Sequence, residues 1–187
     1  MKRYGLLLLI LFLAACGGIE KDVGSSIPDK TKVENISAQE VEESPFTLRL
    51  VSDKEQYKVG EKLSIRAELI FEGDKESITI GHAASWIWLS TTNFTKNYRF
   101  GAFMNEPYIR TTMTKGEAII QPYHFSGVTY QESMGGNPYS EEELKEMASD
   151  HFPIGQYEIN GRTDFEIEGQ SGRKYQLEAR VIFEVVE

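Results

Sequence analysis

Hydrophobic and polar residues alternate with a period of two along much of the chain from Phe46 onward. The clearest alternating segments cover residues 46–50, 63–71, 157–167 and 175–185. Because successive side chains of a strand point to opposite faces, this pattern predicts antiparallel strands with one buried face and one solvated face. A loop with two glycines, residues 168–172, separates the last two segments and predicts a hairpin.

Shorter strands and one helix complete the predicted elements. Six further segments predict strands, and they cover residues 77–81, 85–90, 98–104, 108–114, 117–121 and 124–130. Ser140 precedes Glu143 by three residues, the spacing of a helix capping box, and Leu144 and Met147 give the short helix one apolar side. About nine or ten short strands with a single helix predict an all-β protein, a β-sandwich.

Three short glycine-containing motifs each precede a predicted strand. They are Tyr-Lys-Val-Gly-Glu at residues 57–61, Lys-Gly-Glu at 115–117 and Pro-Ile-Gly-Gln-Tyr at 153–157. Here the chain resembles the immunoglobulin-like sandwiches of bacterial exported proteins. It is most similar to the domain of the Bacillus intracellular proteinase inhibitor family, which also occurs in lipoproteins.

This resemblance covers roughly residues 57–183 and is interrupted by an insertion at residues 131–151. It implies an immunoglobulin-like antiparallel β-sandwich with one short inserted helix. It also implies that Tyr157 is a tyrosine corner, whose hydroxyl bonds to nearby backbone. No inhibitory loop can be matched residue by residue. The resemblance therefore predicts the fold of this chain but not its function. A role as a protease inhibitor-like module is an alternative.

The segment before this domain has a different composition. Residues 17–45 contain seven acidic residues, three lysines and few large apolar residues, with no sustained period. Such a segment buries too little surface to offset its chain entropy, so we expect a disordered acidic tether. A short helix around residues 33–43 is the alternative.

The amino terminus carries the most specific motif. Lys2 and Arg3 precede an apolar run of 12 residues, 4–15, whereas a membrane-spanning helix needs roughly 20. This layout predicts a secretory signal peptide. Leu-Ala-Ala-Cys at residues 13–16 resembles the lipobox of bacterial lipoproteins. The resemblance implies that diacylglycerol is attached to the sulfur of Cys16, that cleavage follows Ala15, and that the new α-amino group can be acylated.

These segments divide the chain into three parts and predict its location. They are a lipoprotein signal peptide at 1–15, the lipidated cysteine and disordered tether at 16–45, and the β-sandwich domain at 46–187. We expect the protein on the extracytoplasmic face of the cell membrane of a Gram-positive bacterium.

The net charge of −9 argues against nucleic-acid binding. Cys16 is the one cysteine, and with its sulfur lipidated no thiol remains, so disulfides and cysteine catalysis are excluded.

No residue pattern predicts catalysis or a metal site. His82, His124 and His151 lack the spacing of metal ligands, although His82 continues the inward-facing row of residues 78 and 80. There is no G-x-S-x-G motif. The carboxylates Asp164 and Glu166 are explained by a solvated strand face. The sequence thus predicts a non-enzymatic protein with no metal and no cofactor beyond the covalent lipid; a hydrolase or metal-binding protein is an alternative.

A pair of tryptophans gives the candidate ligand surface. Trp86 and Trp88 fall on one face of a predicted strand, and the polar segment that follows includes Asn93 and Phe94. If these side chains are exposed, they form a surface on which a protein or saccharide ligand can stack. The alternative is that both indoles fill the core while Ile87 and Leu89 are covered by the insertion. The predicted function is a lipid-anchored extracytoplasmic binding protein of unknown ligand.

Overall fold

The computed structural model describes residues 33–100, 107–127, 138–170 and 172–187. The predicted signal peptide, Cys16 and the tether up to residue 32 lie outside these residues. The elements are, in chain order, β1 (Ala38–Glu43), β2 (Phe46–Ser52), β3 (Gln56–Lys58), β4 (Ile65–Phe71), β5 (Ser77–Asn93), β6 (Tyr98–Phe100), β7 (Ile109–Thr114), β8 (Ala118–Pro122), α1 (Glu141–Met147), β9 (Gly155–Ile167), β10 (Lys174–Tyr175) and β11 (Glu178–Val186).

Two sheets form a sandwich, as predicted. The smaller sheet has the strand order β1-β2-β4-β8. The larger sheet has the order β3-β11-β9-β5-β6, with β10 also paired to β9 and β7 to β5. Pairs among these strands are antiparallel except for β3 with β11. The alternating segments at residues 157–167 and 175–185 are β9 with β10 and β11, which confirms the hairpin around residues 168–172.

The inner faces of both sheets supply one hydrophobic core. Alternate residues of β2 and β4 are buried from the smaller sheet, and alternate residues of β9 and β11 from the larger one. Fully buried members include Leu48, Leu50, Leu69, Ile80, Tyr157, Ile159, Val181 and Phe183. The polar residues between them point to solvent, so the period of two in the sequence reports burial directly.

The predicted boundary between tether and domain at residue 45 is wrong. Residues 38–43 form the edge strand β1, which pairs with β2 along its whole length. Just before it, Ile36 exchanges two backbone hydrogen bonds of 2.8 Å with Ile182 of β11, in the other sheet. The chain therefore contacts one sheet and then joins the other within a few residues. The alternative of a helix over residues 33–43 is also wrong.

A β-bulge interrupts β5, which spans two segments that the sequence predicts as separate strands. His82 pairs with Phe165 and Ile87 with Thr163, so β5 advances five residues while β9 advances two. The three extra residues reverse which face each side chain takes, because an odd insertion shifts a period of two. Before the bulge even-numbered residues face the core, and after it odd-numbered residues do.

The described part of the insertion, residues 138–151, packs onto the core. Helix α1 begins with the predicted capping box, in which Ser140 Oγ accepts from Glu143 N (3.1 Å) and Ser140 N donates to Glu143 Oε2 (2.7 Å). Met147 and Phe152 join the core. Tyr157 Oη donates to the carbonyl of Pro153 at 2.8 Å, as expected of a tyrosine corner. Residues 124–127 of the predicted strand 124–130 are not a strand, and 128–130 lie outside the described residues.

Candidate functional site

The four residues proposed as a ligand surface do not share one. Trp86 and Asn93 are buried, whereas Trp88 and Phe94 are half-buried. The bulge accounts for this, since it turns Ile87 toward the core and Trp88 to the outer face of the larger sheet. The alternative, in which both tryptophans fill the core, is right for Trp86, which is a core residue, and wrong for Trp88. Its second part is wrong for Ile87, which is itself in the core.

Asn93 and the turn after it hold the insertion in place. Asn93 Nδ2 donates to Tyr139 Oη at 2.6 Å, and Asn93 Oδ1 accepts from Lys96 N at 2.9 Å. Lys96 Nζ then donates to Glu143 Oε1 of α1 at 2.9 Å. The side chains of Asn93 and Lys96 are therefore occupied by contacts within the protein.

The histidines do not converge on one another. His82 is buried at the end of its predicted row, with Nδ1 donating to Ala83 O (2.7 Å) and Nε2 hydrogen-bonded to Thr111 Oγ1 (2.8 Å). His124 pairs with the buried Asp150 at 3.0 Å, and His151 is half-buried. Among the described residues, no group of three or more histidine, cysteine, aspartate or glutamate side chains could hold a metal ion.

A cleft of about 330 Å³ opens on the outer face of the larger sheet at the bulge. Its walls include Trp88 from β5, Tyr108 from the residues before β7, Asp164 and Glu166 from β9, and Lys174 from β10. All three side chains from β9 and β10 point outward, since the inward positions of β9 are the odd-numbered ones. A bulge separates neighbouring strands locally, which is why concave sites occur beside them.

The carboxylates of the cleft keep unused acceptor capacity. Lys174 Nζ lies 3.1 Å from both carboxylate oxygens of Asp164, but its hydrogen bond is directed to Oδ2. Asp164 Oδ1 is buried and is held by this ion pair with Lys174. Glu166 Oε1 accepts a long bond of 3.3 Å from Tyr108 Oη. The site can therefore accept hydrogen bonds from a bound molecule.

Tyr108 forms the wall of the cleft opposite Trp88. Its ring crosses over Gly81 to reach Glu166 on the neighbouring strand. Partial desolvation, followed by the bond to Glu166, raises the pKa of the Tyr108 phenol above its ordinary value. The phenol therefore stays a hydrogen-bond donor at neutral pH.

The sequence contains Trp88, Asp164 and Glu166 but gives no sign that they meet. Asp164 and Glu166 lie on the solvated face of their strand, as the alternation predicts, and the bulge brings Trp88 to that same face. Neither protein-family models nor curated proteins give a match to this chain. In the part of the chain that the structure describes, no helix is long and apolar enough to cross a membrane.

Proposed function

We propose that the protein is a lipid-anchored extracytoplasmic binding protein, non-enzymatic, whose ligand occupies the cleft at the bulge of β5. The observation that carries this proposal is the half-buried Trp88, which lines the same cleft as the ion pair of Asp164 and Lys174. Ligand sites combine apolar or aromatic walls with a few directed polar groups, and this cleft has both. The membrane anchor in this proposal is diacylglycerol on Cys16.

The position of the cleft within the domain supports this function. The described chain begins at Val33, whose carbonyl accepts from Gln156 Nε2 near the start of β9. Asp164 follows Gln156 by eight residues on the same strand, a separation of roughly 26 Å at the usual rise of a strand. The cleft therefore lies far along β9 from Val33, and the described residues nearest the proposed anchor leave it accessible.

Photo-cross-linking in intact cells tests the site. A photoreactive phenylalanine analogue in place of Trp88 should form a discrete adduct, detected as a mass shift of the purified lipoprotein. The matched control carries the same analogue in place of Ile120, which is 58% exposed on β8 of the other sheet. No adduct at position 88, or equal adducts at both positions, would overturn the proposal for the cleft.

Lipidation needs its own test. Cells grown with an alkyne fatty acid should label the wild-type chain and leave Cys16→Ala unlabelled. Label that persists on the variant would show that Cys16 does not carry the lipid.

A further inference from the structure

We infer, on the basis of the proposed function, that the ligand of this cleft is a neutral saccharide. One sugar ring lies against the Trp88 indole, and adjacent hydroxyl groups bond to Asp164, Lys174 and Glu166. Three properties of the cleft favour such a ligand: its charge balance, its hydrogen-bonding capacity and its aromatic walls.

The charges around the cleft balance. Asp164 and Glu166 are opposed by Lys174, which lines the cleft, and by Arg162, which pairs directly with Trp88 across β5 and β9. A strongly cationic ligand would compete with the two basic side chains, and a strongly anionic one would face the two carboxylates. Leaving a desolvated charge without a partner is costly, so this balance favours an uncharged ligand.

The polar groups match the hydrogen-bonding capacity of hydroxyl groups. A hydroxyl both donates and accepts, whereas a carboxylate only accepts and an ammonium only donates. Each carboxylate has about four lone-pair positions, so Asp164 and Glu166 keep acceptor capacity beyond their bonds to Lys174 and Tyr108. Lys174 Nζ has three protons, of which the ion pair with Asp164 uses at most two. Two vicinal hydroxyls can therefore bridge this pair, one donating to Asp164 and the other accepting from Lys174.

The aromatic side chains of the cleft suit the apolar face of a sugar ring. Trp88 is half-buried, so part of its indole lines the cleft, and Tyr108, 59% exposed, stands on the opposite side. The C–H groups on one face of a pyranose ring are apolar and pack against such rings, which lose little side-chain entropy on binding. The aromatic rings can therefore contact the C–H face of a sugar while the polar residues bond to its hydroxyl groups.

Titration of the full-length lipoprotein in detergent with maltotetraose, cellotetraose and chitotetraose tests this inference. The chain has two tryptophans, so saturable changes in intrinsic fluorescence report on the cleft. We expect at least one tetrasaccharide to bind. Asp164→Asn should weaken binding about tenfold, the value of a lost hydrogen bond to a charged group. The matched control Glu158→Gln, on the outer face of the same strand, should not change it.

Tetralysine and tetraglutamate, titrated alongside, separate the two proposals. Binding of a charged peptide with no binding of any tetrasaccharide would overturn the saccharide assignment and leave the cleft as the ligand site. Titration calorimetry measures the same binding in Trp88→Phe, which lacks the reporting indole. Saccharide binding that Asp164→Asn and Trp88→Phe leave unchanged would also overturn the assignment, because the sugar would then bind elsewhere. The absence of any adduct in the cross-linking experiment at position 88 is the separate result that removes the proposed function itself.

Discussion

Tyr108 occupies the space that a side chain at Gly81 would need. A Cβ built on Gly81 would stand 2.1 Å from the phenol oxygen of Tyr108 and 2.5 Å from Cζ. The missing side chain lets the ring pass over β5 and reach Glu166 on β9. One wall of the cleft therefore depends on a glycine in the middle of a strand, a position where glycine is otherwise unfavourable.

Gly81→Ala should remove this wall while leaving the fold intact. Tyr108 is largely exposed, so its ring can swing away, and we expect the free energy of unfolding to change by less than about 1 kcal/mol. Urea denaturation measures the stability, and a crystal structure of the variant would show the ring displaced from Glu166. A ring that stays in place would contradict this account.

Gly161→Ala is the contrasting variant. Gly161 is buried, and its Cβ would stand 2.9 Å from Cδ1 of Ile87 and 3.2 Å from Cδ2 of Leu89. Ile87 belongs to the core and Leu89 packs against it, so neither can move outward. Overpacking here should lower the free energy of unfolding by about 1–3 kcal/mol. Equal costs for the two glycine variants would show that Tyr108 is held as firmly as the core.

The bulge in β5 marks the limit of what the sequence could predict. Ile78, Ile80 and His82 alternate clearly, and their buried face is confirmed. From Trp86 to Leu89 every residue is apolar, so the pattern holds no information about which face is inward. Three extra residues reverse the faces within this stretch, and no turn-forming glycine or proline occurs between 82 and 87 to signal them.

Strand β1 was missed for a related reason. Residues 38–43 contain Val41 as their one large apolar residue, and its side chain packs against the core. The strand is held mainly by backbone bonds to β2 and by the ion pair between Glu40 and Arg49, at 3.0 Å. Hydrophobic periodicity cannot detect a strand whose pairing depends on its neighbour, whereas it identified β2, β4, β9 and β11 because those strands bury half their side chains.

Truncation tests the revised domain boundary. A chain that begins at residue 46 loses β1 and exposes β2 as a bare edge, so we expect lower stability and aggregation. A chain that begins at residue 33 keeps every described contact and should unfold at the same temperature as the mature protein. Thermal unfolding and light scattering measure both effects. Equal behaviour of the two truncations would restore the boundary at residue 45.

Thr163 should be the most sensitive polar residue of the core. It is completely buried, and its Oγ1 donates to Tyr175 O at 3.0 Å and accepts from Leu177 N at 2.9 Å. Thr163→Val keeps the shape but removes the partner of Leu177 N and one bond to Tyr175 O, which should cost about 1–3 kcal/mol in urea unfolding. Thr163→Ser keeps the hydroxyl and should cost markedly less. A larger loss in the serine variant would assign the effect to the methyl group instead.

The pair of Lys96 and Glu143 gives the protein an acid-sensitive contact. The hydrogen bond from Lys96 is the largest cause that lowers the pKa of Glu143 below its ordinary value of 4.5. A lowered pKa in the folded state gives stability that is present above pH 4.5 and is lost as the pH falls through the folded pKa. NMR titration should show the Glu143 pKa rise toward 4.5 in Lys96→Met.

The control for this pair is Lys145→Met, in the last turn of the same helix. It removes the same charge without touching Glu143, and the Glu143 pKa should stay low. Equal shifts in both variants would mean that the general field of the lysines, and not the direct bond, sets the pKa.

Buried tyrosines should make the protein lose stability in alkali. Burial raises the pKa of Tyr139 to about 12, and it also raises the pKa values of Tyr123 and Tyr157. The folded state keeps these phenols protonated while the unfolded chain releases their protons near pH 10. Stability is therefore fully present below pH 10 and falls as the pH rises toward about 12.

Urea denaturation across this pH range measures the slope, with tyrosinate absorbance following the ionisation. Tyr139→Phe removes one of the three phenols, so its stability should fall less steeply with pH than that of the wild type, although it also loses the bond from Asn93. Phe125→Leu is the control, because Phe125 contacts the same aromatic cluster through Phe100 and carries no ionisable group. It should lower stability equally at every pH. A Tyr139→Phe curve parallel to the wild type would show that Tyr139 ionises without opposing the fold.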